Sequence, residues 1–575
     1  MNRTWRRWIA PLLMGLSLFL GGGEPARAQN AELDQRLSRE IEELRARMEK
    51  LEKENQQLRQ ASPPSAPGDK TDATRVSDKE VKSIVDDYLK EKDAEKKKAD
   101  DAKKQEDEAK KQEAAAQGYV VGSDSKLSAS WTNGLQFQSA NKDFKLHIGG
   151  RFDNDWVFFD QSQALKTPFA IGGAGKPASG GVGVLDDGTF FRRARFKMDG
   201  SAWEVMEFAL EANFENLNLI TFQDFWVGYT GIPILGTVRV GNNRVPQGLE
   251  AFTSENYNTF MERAAPFDAF LQNFNPGLFV SNTEFNQHMT WEALFHRIPT
   301  SGIAALPFSG TSAGNNANTG ADFGTGEYAA TGRVTFLPYY ENDGREWVHL
   351  GANYQFREAK FDTTTGRDVV IFSTRPEIFT GNGLLGNNTK FLTSDRIECN
   401  DVQTIGAEAA MVMGPFSIQS EYWLIEVMDA SIPPGIGINS SKTKVVPLGD
   451  PSFQGWYAEV SYFLTGENRP YDRRFGRFDR VVPFTNFWLL PTEHGVDRGW
   501  GAWEIAARYS LVDLNDAATI TGTGGALNEY TLGLNWYMNP NMRIQMNYVR
   551  VNRNVGAPNV KGDVDEFGME FHLDF

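Results

Sequence analysis

The chain has 575 residues, a formal net charge of −16, 12% aromatic residues and 55 glycines, a balance typical of a Gly- and aromatic-rich β protein. Mean hydropathy is −0.44. No run of 18 apolar residues follows residue 30, which argues against an α-helical membrane protein but not against a barrel, whose alternation averages out. Cys399 is the single cysteine, so no internal disulfide framework or cysteine metal cluster can form.

Arg3, Arg6 and Arg7 precede an apolar stretch from Trp8 to Leu20, and Ala26-Arg27-Ala28 follows. Residues 1–28 therefore read as a secretory signal peptide; the apolar core is short for an uncleaved anchor. In 29–60, Leu37, Leu44, Leu51 and Leu58 recur every seven residues, with Ile41, Met48 and Asn55 at the preceding a positions. This predicts a short coiled coil, with Asn55 setting register in a multimer; a single amphipathic helix is the alternative. Residues 61–118 begin with the linker Pro63-Pro64-Ser65-Ala66-Pro67-Gly68 and continue as a mixed Lys/Glu/Asp/Ala spacer, helical or disordered. Residues 1–118 hold 24 basic and 24 acidic residues, so the whole excess of −16 falls on 119–575.

The region 119–575 alternates apolar and polar residues over long stretches. Phe144, Leu146, Ile148, Phe152, Trp156 and Phe158 oppose Lys145, His147, Arg151, Asp153 and Asp155. Phe190, Ala194, Phe196 and Met198 oppose Arg193, Arg195 and Lys197. Similar rows run through 206–214, 531–538 and 543–548, and the chain ends on Phe567, Met569, Phe571, Leu573 and Phe575 opposing Gly568, Glu570, His572 and Asp574. A strand crossing a bilayer needs about 9–11 residues, apolar outside and polar inside. Short turns such as Met413-Gly414-Pro415 contrast with Gly-rich segments near 161–188, 299–326, 361–400, 429–450 and 466–499. The expected arrangement is short turns at one end and long loops at the other. The fold class predicted is all-β, an antiparallel transmembrane barrel preceded by a helical coiled-coil stalk.

The ordered segments Phe144–Arg151, Phe191-Arg192-Arg193-Ala194-Arg195, Trp226–Gly231, Val238–Gly241, Phe260-Met261-Glu262-Arg263 and Trp503–Ser510 resemble the phosphate-selective porin O/P family. The resemblance implies about sixteen strands, a trimer in the outer-membrane lipid, and a constriction of basic side chains that replace an anion's hydration shell. By position it implies that Arg151 and the pair Arg192 and Arg193 line the pore. It also implies that Leu249–Asn256, with Ser254, is the loop folded into it. The chain departs from the phosphate-specific pattern at Ala251, where a lysine is expected, and at Glu255 and Glu204. These departures, with the acidic domain, argue for weaker phosphate selectivity. Phe575 is expected to contribute to the signal read during barrel assembly.

The site candidates are Arg151, Arg192, Arg193, Arg195, Ser254 and Glu255. Arg193, Arg195 and Lys197 form either an anion path or a wall row neutralising Glu207 and Glu211. Arg192 has the opposite parity: alternation points it to lipid, where it is tolerable only near the headgroup level or at a bulge, whereas the resemblance implies that it turns inward. Arg473, Arg474, Arg477 and Arg480 cluster in a long segment, read first as solvated and alternatively as steering anions or binding polyanions. His147, His288, His296, His349, His494 and His572 show no metal-ligand spacing, and no nucleophile–base motif is present. No enzyme, cofactor or nucleic-acid partner is expected. Two functions fit: a passive porin for small hydrophilic solutes, including inorganic anions such as phosphate, or a structural anchor tethering the envelope through residues 29–118 to a cell-wall or periplasmic partner.

Overall fold

The computed structural model describes residues 120–575, except 169–179, 216–218, 298–303, 308–326, 363–365, 379–389, 437–438, 442, 493–494, 517–523 and 557–558. The signal peptide, the coiled coil and the charged spacer lie outside the described residues. A hairpin of β1 (Leu127–Trp131) and β2 (Leu135–Ser139) precedes the barrel and pairs with its first strand.

Sixteen antiparallel strands close on themselves. They are β3 (Phe144–Gln161), β4 (Gly188–Ala202), β5 (Met206–Asn213), β6 (Leu219–Ile232), β7 (Gly236–Arg244), β8 (Phe274–Glu284), β9 (Met289–Arg297), β10 (Tyr328–Glu341), β11 (Glu346–Glu358) and β12 (Asp401–Met413). They continue as β13 (Phe416–Met428), β14 (Ser452–Phe463), β15 (Ala502–Asp513), β16 (Ala526–Asn539), β17 (Met542–Asn554) and β18 (Gly562–Asp574). The terminal strand β18 pairs with β3 from Arg151↔Asp574 to Gln161↔Val564. Phe575 and Gly150 exchange backbone bonds at 2.8 and 3.0 Å, so the final residue is knitted into the wall. Phe571, Leu573 and Phe575 are each about 40% exposed on the outer face, and Glu566, Glu570, His572 and Asp574 are buried inside. The closing strand thus has the predicted orientation.

Alternation fails once where it matters. Asp153 pairs with Arg193 and Asn154 with Phe191, so Arg192 is the extra residue of a β-bulge. The bulge turns Arg192 inward beside Arg193. It also reverses the parity before it: Phe191 faces out and Phe190 packs against the interior, opposite to its predicted face.

Connections of two to four residues, such as 203–205, 285–288 and 414–415, occupy one end. Loops 162–187, 245–273, 359–400 and 429–451 occupy the other. The exception is 464–501, a 38-residue connection between β14 and β15 that leaves from the short-turn end. The sequence grouped it with the long loops. Strands alternate in direction, so the connection after β14 lies at the same end as 414–415.

The inward face changes along the barrel axis. Towards the long-loop end it carries Val402, Ile425, Val427, Phe453, Val512, Leu527, Val549, Val551 and Val564, all buried in one core. Leu165 and Val182 of loop 162–187 and Phe372, Ile378, Phe391 and Leu392 of loop 359–400 complete that core. Phe372 contacts Phe270 and Phe453, with ring centroids 5.7 and 5.2 Å away. Between that core and the short-turn rim the inward face is polar and charged, with Arg151, Glu408, Glu421, Glu459, Glu504, Arg508, Arg543 and Gln545. At the rim Trp347, Val412, Phe463, Ala502 and Tyr537 pack with Tyr471, Phe478 and Val481 of connection 464–501.

Candidate functional site

Loop 245–273 folds into the lumen and is held mainly by its backbone. Gly248 has φ +124°, and a Cβ there would stand 2.3 Å from Glu421 Oε2, so only glycine fits. Glu421 of β13 accepts bonds from the Leu249 and Glu250 amides at 2.7 and 2.8 Å. This carboxylate satisfies the first amides of the short helix α1 (Leu249–Phe252). Asn547 accepts from the Met261 amide at 2.9 Å. Asn535 donates to the Thr259 carbonyl at 2.7 Å, Arg543 to Asn258 at 2.9 Å and Arg508 to Glu262 at 3.0 Å. The wall from β13 to β17 thereby fixes the loop and leaves Glu255 and Glu262 to meet β3 and β4.

There four arginines converge on one carboxylate. Glu255 Oε2 lies 2.8 Å from Arg195 Nη1, 3.2 Å from Arg193 Nε and 3.7 Å from Arg151 Nη1. Glu255 Oε1 accepts from Arg263 Nη1 at 2.7 Å. Burial pushes the Glu255 carboxyl up, but the guanidiniums of Arg195, Arg193, Arg263 and Arg151 outweigh it and hold it well below the ordinary range. Arg192 pairs with Glu262, which also lies 3.4 Å from Arg193. Asp153 Oδ2 takes Arg151 at 2.7 Å and Arg193 at 3.2 Å.

The sequence candidates therefore gather in one place but do not all face the same space. A cavity of about 620 Å³ between this loop and the β3–β7 wall is lined by Arg151, Arg195 and Ser254. Arg192, Arg193 and Glu255 are not among its lining residues; Arg193 and Glu255 are buried. Ser254 Oγ accepts from the Asn256 amide and turns the loop at this edge. Ala251, at the position of the expected lysine, is buried and offers its carbonyl to Arg244 at 2.8 Å. Glu204 lies in the tight turn 203–205, outside this cluster.

The wall supplies Lys145, Arg151, Arg195, Lys197, Arg239 and Arg244 to the cavity, and the connection 464–501 supplies Arg474, Arg477 and Arg480. Five acidic side chains, Asp199, Glu207, Glu211, Asp224 and Asp574, oppose these nine. The cavity is thus positive within an acidic domain. Arg239 stacks on Trp226 with its guanidinium carbon 3.9 Å from the ring centroid.

The part of connection 464–501 around its arginines folds into the lumen, with the Arg474 side chain half exposed. The tip of the connection turns at Gly476, φ +58°, where a Cβ would meet Thr335 Oγ1 at 2.6 Å. Arg333 of β10 donates to the Gly476 carbonyl at 2.7 Å. His349 Nδ1 and the Tyr471 hydroxyl lie 2.7 Å apart. Arg469 stacks over Phe478 at 3.5 Å. The Phe478 amide donates to Thr253 Oγ1, and Arg477 to the Phe252 carbonyl, both at 3.3 Å. Arg480 pairs with Asp574 beside the carboxyl terminus. A segment from each end of the barrel therefore meets inside it.

Sequence reasoning missed the internal ties. Arg508 lies 2.7 Å from Glu377 of loop 359–400 and 3.1 Å from Glu250 of loop 245–273. Arg333 forks onto Glu408 at 2.8 and 2.9 Å. Neither Arg508 nor Arg333 belongs to an alternating row singled out in the sequence, and their partners are distant along the chain. Asp153, Glu570 and His572 bring ligand-type atoms within 4.8 Å of one another. Arg193 donates to both Asp153 and Glu570, at 3.2 and 3.1 Å, so this set belongs to the ion-pair network.

A closed barrel of sixteen antiparallel strands with outward aromatic rows and a loop folded into a charged lumen defines an outer-membrane channel of the porin class. The family model for phosphate-selective porin O and P matches residues 183–575, and the chain belongs to that family. Porin O of Pseudomonas aeruginosa is 25% identical over 463 residues, covering 77% of this chain and 90% of that protein. An uncharacterized protein of Caulobacter vibrioides is 27% identical over 453 residues, covering 78% of this chain and 77% of that one. Among solved structures, the outer membrane channel DcaP of Acinetobacter baumannii is 8% identical with a TM-score of 0.41, covering 76% of this chain and 99% of that one. OmpF of Salmonella typhi, solved with daunomycin, is 12% identical with a TM-score of 0.40, covering 78% and 100%.

Proposed function

We propose that the barrel passes small hydrophilic solutes passively, with a modest preference for inorganic anions such as phosphate. The supporting observation is the cavity between the two inserted segments, where nine basic side chains face five acidic ones. Low-dielectric walls concentrate that field and raise the local anion concentration. The paired carboxylates keep binding weak enough for release. The proposed path is lined by Arg151, Arg195 and Ser254, with Arg192, Arg193 and Glu255 setting its charge from behind. The protein assembles as a homotrimer in outer-membrane lipid, and residues 29–118, with the heptad pattern of 29–60 and the charged spacer after it, serve as a periplasmic stalk. Planar-bilayer recordings in a salt gradient test this reading: stepwise conductance with an anion-favouring reversal potential is expected. A protein that inserts without conducting would overturn the channel.

One observation favours a second reading. The long-loop half of the lumen is packed with an apolar core, as in a plugged anchor. In that reading the stalk tethers the envelope to a cell-wall or periplasmic partner. Deleting residues 29–117 separates the two: an unchanged conductance with a detached envelope favours tethering.

A further inference from the structure

We propose that Glu255 is a tethered anion: its carboxylate occupies an arginine site that would otherwise receive a mobile inorganic oxyanion, and so sets the pore to low anion affinity. The inference rests on the pore reading above and deepens it.

Three features carry it. First, Glu255 reaches the cluster from a loop, while Arg151, Arg193 and Arg195 belong to the rigid wall of β3 and β4. The site is built by the barrel and filled by the loop. Second, the fit is electrostatic and poorly directed. Glu255 Oε2 lies within 3.7 Å of three guanidiniums yet accepts no aligned hydrogen bond. The Nε–H donors of Arg151, Arg193 and Arg195 are buried without an aligned acceptor, although Glu255 Oε2 lies 3.2 Å from Arg193 Nε. A planar carboxylate held by its backbone cannot satisfy donors arriving from several directions. A free tetrahedral oxyanion, with more acceptor oxygens and no tether, can. Third, access exists. Arg151 and Arg195 line the cavity, and Ser254 and Asn256 beside Glu255 line it too. An anion in the cavity meets a hydroxyl, an amide and two guanidiniums, and competes with Glu255 for the latter. Arg263 binds Glu255 Oε1 and also donates to the Glu250 and Thr253 carbonyls, so it positions the loop whatever fills the site.

The experiment uses full-length protein with Glu255→Gln. Inorganic phosphate is the probe, read in two ways: block of chloride current in bilayers, and thermal stabilisation in detergent. Half-block of E255Q is expected at phosphate about ten-fold lower than for the unaltered chain, with a matching phosphate-dependent rise in Tm. Adding Arg195→Gln to E255Q should abolish both effects. If E255Q fails to fold, Glu255→Asp, whose shorter side chain withdraws the charge, should show an intermediate gain. Phosphate sensitivity that is equal in the unaltered chain and the Glu255 variants would overturn the tethered anion. If the unaltered chain inserts without conducting, the pore reading falls, while the phosphate-dependent Tm still decides on Glu255.

Discussion

The two halves of the lumen are closed by different balances of apolar packing and charge. At the long-loop end, Val and Phe side chains of the wall pack against loops 162–187 and 359–400. Towards the short-turn end, the inserted tip of 464–501 and loop 245–273 sit among guanidinium–carboxylate pairs such as Arg263–Glu255 and Arg480–Asp574, with backbone bonds and smaller aromatic clusters beside them. Both faces belong to the same strands and obey the same alternation. Inward placement therefore decides only that a residue meets protein or water inside the barrel; chemistry along the axis decides what it does there. An apolar plug is non-directional and loses energy in proportion to area. An ion-pair network is coupled, and removing one member leaves others charged and unpaired. The halves should respond differently to substitution.

The largest effect is expected where the network ties both loops. Arg508→Met leaves Glu250 and Glu377 buried without their shared cation and should cost about 3–5 kcal/mol. Denaturant unfolding of refolded barrels measures it; a loss below 1 kcal/mol would mean that the loops are held otherwise. In the apolar half, Phe372→Ala should cost about 3 kcal/mol by cavity formation, with little change in ion selectivity. If its reversal potential shifts as much as that of an arginine variant, the two halves are not separable. Removing the tip 473–478 should raise conductance on the order of two-fold and reduce anion preference, because Arg474 and Arg477 leave the cavity. An unchanged single-channel current would sink the idea that this tip narrows the path. The smallest effect concerns pH. Glu255 is depressed below its ordinary value of 4.5, so its stabilising contribution is present above that range and is lost only as pH falls through the lower folded-state value. With His147, which lines the same cavity, replaced by Gln, selectivity should stay flat between about pH 8 and pH 5. A step in that interval in the His147→Gln chain that disappears in Glu255→Gln would show that Glu255 titrates there.

The barrel was legible because long alternating strands such as Phe144–Gln161 and Gly562–Asp574 survive in the structure with their predicted faces. Arg192 was not legible from alternation, since a bulge is a one-residue insertion that leaves no mark in a two-residue period. The origin of 464–501 could have been counted: strands reverse direction at every connection, and loop length alone misassigned it. The overall charge of −16 does not reveal the charge of the cavity, which concentrates basic residues while the acidic excess lies elsewhere. The meeting of Glu255 with Arg151, Arg193 and Arg195 depends on how loop 245–273 is hung from Glu421, Asn535 and Asn547, contacts that span 160 or more positions of chain. No local pattern encodes them.

The connection 464–501 brings the cations Arg474, Arg477 and Arg480 into the cavity from the short-turn end, while the core described at the long-loop end is apolar. Ions arriving from that side are sorted before they reach the narrow zone, and ions arriving from the long-loop side meet valine and phenylalanine first. A conductor whose fixed charge is displaced to one end rectifies. Current through this barrel should therefore depend on the sign of the applied voltage, with anions passing more readily from the short-turn mouth, even though the wall is one continuous antiparallel sheet.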